Sequence, residues 1–525
     1  MHLRPVIASV GLLAGALVAL SGPSAQAAST RYEAESSPAV CNGTLDSDWT
    51  GYSGSGFCNG TNSTSGYAQF TVNAASSGTA TLSVRFANGS TTARPAALVV
   101  NGTTVQTPSF EGTGAWSAWA TKTLTVPLNA GSNTVRLNPT TSGGLPNLDY
   151  LDVETSGTTT PPTSGALYVA PGGTDGAAGT QAAPTTLPSA ISRIAPGGTI
   201  YLRGGTYAYA STITVPEGSD GTQSARTTLS AYPGETPILN FAAQTESPSN
   251  RGLQLNASYW RVYGLVVEHA GDNGIYVGGS HNVIERTVTR YNRDTGLQLG
   301  RIASTTPSSR WPSDNLVLSA ESHDNADSDG EDADGFAAKL TTGTGNVFRY
   351  AVSHHNIDDG WDLYTKTDTG AIGPVTVEYS LSYGNGTLSD GTVNANGDRN
   401  GYKLGGDGIA VGHVVRHSVA YRNGKHGFTY NSNPGAMTVT SNVGVDNAQR
   451  NFSWDAGTSV FRSNTSCRFA VSGSNDKTVG DADGSNQFWT GANGSRCPSY
   501  AGALGWSFAA DGHLVVTFGG NPVTL

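Results

Sequence analysis

Gly274-Ile-Tyr-Val277, Gly296-Leu-Gln-Leu299, Gly335-Phe-Ala-Ala338, Gly360-Trp-Asp-Leu363, Gly401-Tyr-Lys-Leu404 and Gly427-Phe-Thr-Tyr430 repeat one pattern, a glycine followed by apolar-x-apolar. Successive glycines lie 22, 39, 25, 41 and 26 residues apart, and the two long intervals carry polar inserts around residues 302–332 and 386–399. Each unit has a second alternating run, as in Asn282-Val-Ile-Glu285, Asn346-Val-Phe-Arg349 and His413-Val-Val-Arg416. An asparagine usually follows that run, at Asn292, Asn325, Asn356, Asn385, Asn423 and Asn447. Asparagine tolerates tight turns, and at equivalent places in stacked units such side chains can bond to one another as a ladder. A unit this short cannot bury its own apolar face, so the units must stack. Short strands with frequent turns stack as a parallel β-helix, with coils about 4.8 Å apart. Neither a leucine consensus nor a 3.6-residue period points to another solenoid.

Stacking turns columns of the sequence into neighbours in space. Residues one and three after each glycine are apolar and face into the coil, so the residue between them faces out. That outer column reads Tyr276, Gln298, Ala337, Asp362, Lys403, Thr429, and the position before each glycine reads Asn273, Thr295, Asp334, Asp359, Asn400, His426. Asp334, Asp358, Asp359 and Asp362 thus crowd two adjacent coils, with Lys403 on the next. Clustered carboxylates repel unless a cation sits among them, and oxygen-only ligands favour a hard ion, Ca²⁺ above all outside the cell. With the carboxylate charge cancelled, a neighbouring lysine can lose its proton and act as a general base. A cation site beside a lysine suits proton abstraction next to a carboxylate, as in β-elimination of a uronate polymer. His426 is a candidate substrate contact. The pair His354-His355 suits a surface or turn role, because adjacent strand residues point to opposite faces.

Composition places this chemistry outside the cell. Val6 to Leu20 is an apolar run behind His2 and Arg4, followed by Ala25-Gln26-Ala27, so residues 1–27 read as a secretory signal peptide. No stretch is long enough to span a bilayer. Cys41 and Cys58, and Cys467 and Cys497, are each close in sequence and suit two local disulfides, and they lack zinc-site spacing. Glycine is 69 of 525 residues and charged residues only 13%, which suits an all-β extracellular protein. The net charge of −10, with no basic stripe, argues against nucleic acid. It also means that an acidic polysaccharide would be bound through a cation. Thr155 to Gly165 is a Thr/Pro/Gly/Ser linker between a first domain, residues 29–154, and a second, residues 166–525.

Asp334-Gly-Phe-Ala-Ala-Lys339, Asp358-Asp-Gly-Trp-Asp-Leu363 and Asn400-Gly-Tyr-Lys-Leu-Gly-Gly406, in this order, resemble polysaccharide lyase family 9 across about residues 166–460. The resemblance implies a right-handed parallel β-helix, pectate or related lyase activity and Ca²⁺. It assigns Asp334, Asp358, Asp359 and Asp362 as calcium ligands and Lys403 as Brønsted base, with Lys339 a candidate for substrate binding. Rhamnogalacturonan or another uronate polymer stands as an alternative substrate. A glycoside hydrolase on the same fold would need two acids at a set separation and no metal, an epimerase would leave chain length unchanged, and a non-catalytic adhesin would release no product.

The first domain alternates in short segments, as in Tyr67-Ala-Gln-Phe-Thr-Val72, Ala80-Thr-Leu-Ser-Val-Arg-Phe86 and Asn133-Thr-Val-Arg-Leu137, which suits an antiparallel β-sandwich. Tyr32-Glu-Ala-Glu35, Arg85-Phe-Ala-Asn-Gly89, Asn101-Gly102, Trp116-Ser-Ala-Trp119 and Leu148-Asp-Tyr-Leu-Asp152 resemble a family 35 carbohydrate-binding module. Glu33 and Glu35 alternate onto one face of the first strand and Asp152 lies in the last, ends that pair in a sandwich, so these three are expected to hold a structural Ca²⁺. Tyr52, Asn88, Arg94, Trp119 and Asn147 are candidates for sugar contact. The expected partner is an acidic, pectate-like plant polysaccharide, bound by a secreted monomer with no membrane or nucleic-acid role.

Overall fold

The glycine-led triplets form short strands, among them Ile275–Val277, Leu297–Leu299, Phe336–Ala338, Trp361–Asp362, Tyr402–Lys403 and Phe428–Thr429, each paired in parallel with the next. The computed structural model describes residues 30–74, 78–129, 131–155, 165–394 and 396–523. The expected signal peptide and most of the linker lie outside them. The chain divides into two compact units between residues 156 and 157.

In the second unit, three parallel sheets wind around one core. One has 12 strands, from Ala166–Val169 to Asp481–Ala482. The other two have 10 each, from Gly205–Ala208 to Thr465–Cys467 and from Ile213–Val215 to Lys477–Thr478. The triplets belong to the last of these. Their first apolar residues, Phe336, Trp361, Tyr402, Phe428 and Phe452, are fully buried and stack through the interior with centroids 4.7–5.0 Å apart. Coil spacing and ring stacking distance coincide, so each ring packs on its neighbours without distorting the coil.

The asparagine ladder is present. Asn292 donates to Asn325, Asn325 to Asn356, Asn356 to Asn385, Asn385 to Asn423, Asn423 to Asn447 and Asn447 to Asn451, all at 2.8–3.0 Å. Each of the first six follows a residue in the left-handed region: Tyr291, Asp324, His355, Gly384, Arg422 or Asp446, at φ +50 to +64°. Such a residue turns the chain sharply between sheets at a cost of about 1 kcal/mol when it is not glycine. The asparagine behind it offsets the cost by bonding backbone groups that the turn leaves unpaired. Shorter ladders run through Asn282, Asn315 and Asn346, and through Asn442, Asn464 and Asn486.

The coil stack is covered where its core would meet water. The helix Leu187–Arg193, capped by Thr186, presses Leu187, Ala190 and Ile191 against the first strands. After the last coil, Leu504–Phe508, Leu514–Phe518 and Asn521–Pro522 form an antiparallel sheet. This sheet lies along the flank of the coils: Ser319 Oγ donates to Gly512 O at 2.6 Å and Trp506 Nε1 to the Tyr383 hydroxyl at 3.0 Å. It buries Val352, Leu381, Val419 and Val443 under Leu514, Val516 and Phe518. The Cys467–Cys497 disulfide ties the last coil to the segment that leads into it.

The first unit is an antiparallel sandwich. Asn147–Thr155 lies between Thr30–Glu33 and Gly78–Ala87, and Gly131–Pro139 lies between Tyr67–Ala74 and Arg94–Val100 in the facing layer. Phe70, Val72, Leu82, Val84, Leu98 and Leu137 fill the space between. Cys41 and Cys58 are bonded.

Asn385→Ala removes one rung and leaves the buried Asn356 N–H without its acceptor, the Asn385 side-chain oxygen. The expected loss is about 2–3 kcal/mol, read as a lower urea midpoint for the β-helix. An unchanged midpoint would show that the ladder does not stabilise the fold.

Candidate active site

Register brings the acidic column together. Ala337, Asp362 and Lys403 sit opposite one another on consecutive strands. Asp334 and Asp359 occupy the position before the glycine on neighbouring coils, and the Asp359 N–H donates to Asp334 Oδ1 at 3.3 Å. Asp334, Asp358 and Asp359 each bring an oxygen within 4.8 Å of the others and are 0–1% exposed. Asp362, 3% exposed, turns one oxygen to the Tyr364 N–H at 2.9 Å. Its other oxygen lies 3.6 Å from Lys403 Nζ and 3.5 Å from Lys339 Nζ.

The local backbone fixes these side chains. Asp358 Oδ1 accepts the N–H groups of Asp398 and Arg399. Asp359 Oδ1 accepts both the N–H and the side-chain amide of Asn400. Thr295 Oγ1 donates to Asp334 Oδ2 at 3.1 Å. Asp359 Oδ2 is buried with no hydrogen-bond partner among the described residues, and Lys403 Nζ approaches it at 3.3 Å without the alignment of a bond.

The cluster is short of positive charge. Burial pushes the Asp358 carboxyl up to about 10, with repulsion from Asp359 and Asp334 adding to it. Burial also lifts Asp359, to about 6, against the pull of Lys403, and lifts Asp334 well above the carboxylate range against the pull of Lys339. Desolvation alone would lower the two lysines. The carboxylates around them outweigh it and hold both well above the ordinary lysine value. Four carboxylates share two ammonium groups, and one buried oxygen has nothing to bond. An oxygen-only set with an orphaned ligand atom fits a hard divalent cation.

Other expected residues have different surroundings. Lys339, expected at the substrate, has its ammonium 2.8 Å from Asp334 Oδ2 and almost fully covered, at the edge of the carboxylate cluster. His426 is 8% exposed, and its Nδ1 accepts the Arg450 N–H at 3.2 Å. Burial, helped by Lys425 and Arg450, lowers its pKa to about 4, so the ring is neutral. Asp398, at the end of the second insert, lies 3.1 Å from Lys403 Nζ and 2.6 Å from Lys425 Nζ. It belongs to no repeat column, so the sequence pattern did not single it out. Asn400 stood in the column before the glycines and is now seen to orient Asp359. His354 stacks on His323 and Tyr383 and bonds Glu321, a surface stack.

In the sandwich, Glu33 and Glu35 converge on the turn at Gly54, where a Cβ would collide with Glu35 Oε1 and lie 3.6 Å from Glu33 Cδ. Their third partner is Asp149. Ser53 Oγ donates to Glu33 Oε2 at 2.8 Å and lies 3.1 Å from Asp149 Oδ1, and Glu35 Oε2 is buried and unpartnered. Asp152 does not join them: it pairs with Arg31, opposite it in register, at 2.8 Å. A bulge between Leu148 and Leu151 breaks simple alternation and brings Asp149 to the site instead. Asn88 is fully buried, donates to Thr92 O and Phe110 O, and accepts from Ser90, so it shapes a loop and cannot reach a sugar. Tyr52 and Trp119 pack around Phe57, with the Trp119 indole donating to Thr50 O. Arg94 bonds Asn62 and Leu145 O and lies 5.0 Å above the Trp116 ring. Asn147, 4% exposed, sits opposite Ala87.

Residues 167–465 match the family model described as Pel9A-like, right handed beta helix region, and residues 33–155 match that of a carbohydrate binding module of family 6. A pectate lyase L of Paenibacillus polymyxa (strain SC2) is 55% identical over 328 residues, 62% of this chain and 72% of that protein. The crystal structure of pectate lyase Pel9A is 31% identical, with a TM-score of 0.56, covering 67% of this chain and 87% of that one. A family 35 carbohydrate binding module from Clostridium thermocellum is 40% identical, covering 24% of this chain and 98% of that one, with a TM-score of 0.24.

Asp359→Ala removes the orphaned oxygen, and Ca²⁺ affinity at this centre should fall by at least about tenfold, since even outer supporting groups cost 10–100-fold. Calorimetric titration reads it. An unchanged isotherm would remove Asp359 from the ligand set.

Proposed function

We propose that this chain, which belongs to the Pel9A-like right-handed β-helix family and is a polysaccharide lyase, cleaves pectate by a Ca²⁺-dependent β-elimination in which Lys403 is the base. The observation that carries this reading is Lys403 Nζ beside the buried cluster of Asp334, Asp358, Asp359 and Asp362. Those four side chains would hold the ion. When bound, Ca²⁺ supplies positive charge that cancels the ligand carboxylates and acidifies the proton next to a uronate carboxylate.

The chain's own residues do the rest. The Asn400 amide and the N–H groups of residues 398 and 399 hold Asp359 and Asp358 in place. Asp362 and Asp398 fix the position of Lys403 Nζ. Lys403 takes the C5 proton, the C–H electron pair becomes the C4=C5 double bond, and the C4–O bond breaks toward the leaving chain. Burial of the lysine keeps water from competing for the proton.

Export is part of the proposal, with residues 1–27 as leader and a monomer acting on plant cell-wall polymer outside the cell. No helix among the described residues is long and apolar enough to cross a membrane. The sandwich would hold the enzyme on its polymer, with Glu33, Glu35 and Asp149 around a structural cation.

Ultraviolet absorbance of polygalacturonate should rise with the protein and Ca²⁺, and excess chelator should stop the rise. New reducing ends without absorbance would mean hydrolysis and overturn the reading. Lys403→Ala should cost about 10²–10⁴-fold in turnover while Ca²⁺ titration still shows binding, and full activity in that variant would remove Lys403 as base. The neighbouring carboxylates raise the Lys403 pKa, so the free amine becomes more abundant as pH rises. Turnover should therefore climb from neutral to alkaline pH, and a rate that falls over that range would contradict a lysine base.

A further inference from the structure

The outer column that carries Lys403 and Asp362 continues through Ala337 to Gln298 and Tyr276, strand by strand in register. Gln298 is three strands from Lys403, about 14 Å at the spacing of parallel coils. Around it, Arg251, Tyr276, Gln298, Arg301, Thr341 and Thr369 line a surface hollow of about 300 Å³. The two arginines are not equivalent. Arg251 is spoken for, with its guanidinium 3.4 Å from the centre of the Tyr276 ring and 3.3 Å from Asp272.

Arg301 is held by its backbone. Its carbonyl accepts the Tyr276 hydroxyl at 2.9 Å, and its N–H donates to Thr341 Oγ1 at 3.0 Å. Its guanidinium, by contrast, makes no hydrogen bond or ion pair among the described residues. Every other described arginine has at least one of these, and Arg301 opens the polar insert that begins at Ile302. Guanidinium is planar and carries a fork of donors that matches a carboxylate. Gln298 and Thr341 add neutral polar groups of the kind that bind sugar hydroxyls.

We propose that this hollow is a distal subsite for one galacturonate residue of the polymer, with Arg301 binding its carboxylate. The proposal rests on the lyase reading and adds the direction in which the substrate extends. A uronate residue is about as long as one coil is high, so the subsite lies roughly three residues from the bond that breaks.

Arg301→Gln and Arg301→Lys, assayed on oligogalacturonates of increasing length, test it. For chains long enough to reach the hollow, Arg301→Gln should raise KM roughly tenfold or more, the weight of a hydrogen bond to a charged group, with kcat unchanged. Dimers and trimers should show no difference, and Arg301→Lys should recover part of the loss. An equal loss at every length, with a lower melting temperature, would make Arg301 structural and overturn the proposal. No loss on the longest chains would overturn it as well. Wild-type protein that gives no unsaturated product from any of these substrates would overturn the lyase reading itself.

Discussion

Parallel pairing of neighbouring coils holds each strand about 4.8 Å from the next, and the functional distances in the β-helix derive from that spacing. Side chains in one column cannot move apart without breaking the ladder hydrogen bonds beneath them. The Asn292 to Asn451 ladder and the interior rings from Phe336 to Phe452 pin the same register from the turn and from the core. Asp362 therefore faces Lys403, and Asp359 meets Asp334, whether or not their charges favour it.

Holding charges together this way is unfavourable unless a cation sits among them. Buried carboxylates resist ionisation, and the two lysines compensate them only in part. Such a centre is poised to take a cation, since a divalent ion would relieve repulsion that the scaffold does not let the side chains escape. The same rigidity keeps Lys403 in place when its carboxylate partners change charge. A flexible loop carrying these residues would separate them instead, and the lysine would lose its place beside the carboxylates.

The sandwich makes the contrast plain. Its acidic cluster depends on one bulge in Asn147–Thr155, which brings Asp149 rather than Asp152 toward the Glu33–Glu35 pair. Alternation along a strand is a reliable guide only while the strand stays regular. In the β-helix the triplets are regular, and their columns predicted neighbours correctly. Asp398 escaped because it lies in an insert, and Lys339, just past its triplet, meets Asp334 and Asp362 of the same cluster.

The sequence by itself determined the repeat, the inward and outward faces, the asparagine turns and the grouping of four aspartates with one lysine. These follow from periodicity, which sequence records directly. Only the tertiary structure decided that Asp398 reaches Lys403 from an insert, that Asp149 replaces Asp152, and that the final strands fold back along the flank. Among the described residues it also left the Arg301 guanidinium, which lines one hollow with Gln298, without a partner. Those outcomes depend on where irregular segments return to the scaffold, and no local pattern of residues encodes that return.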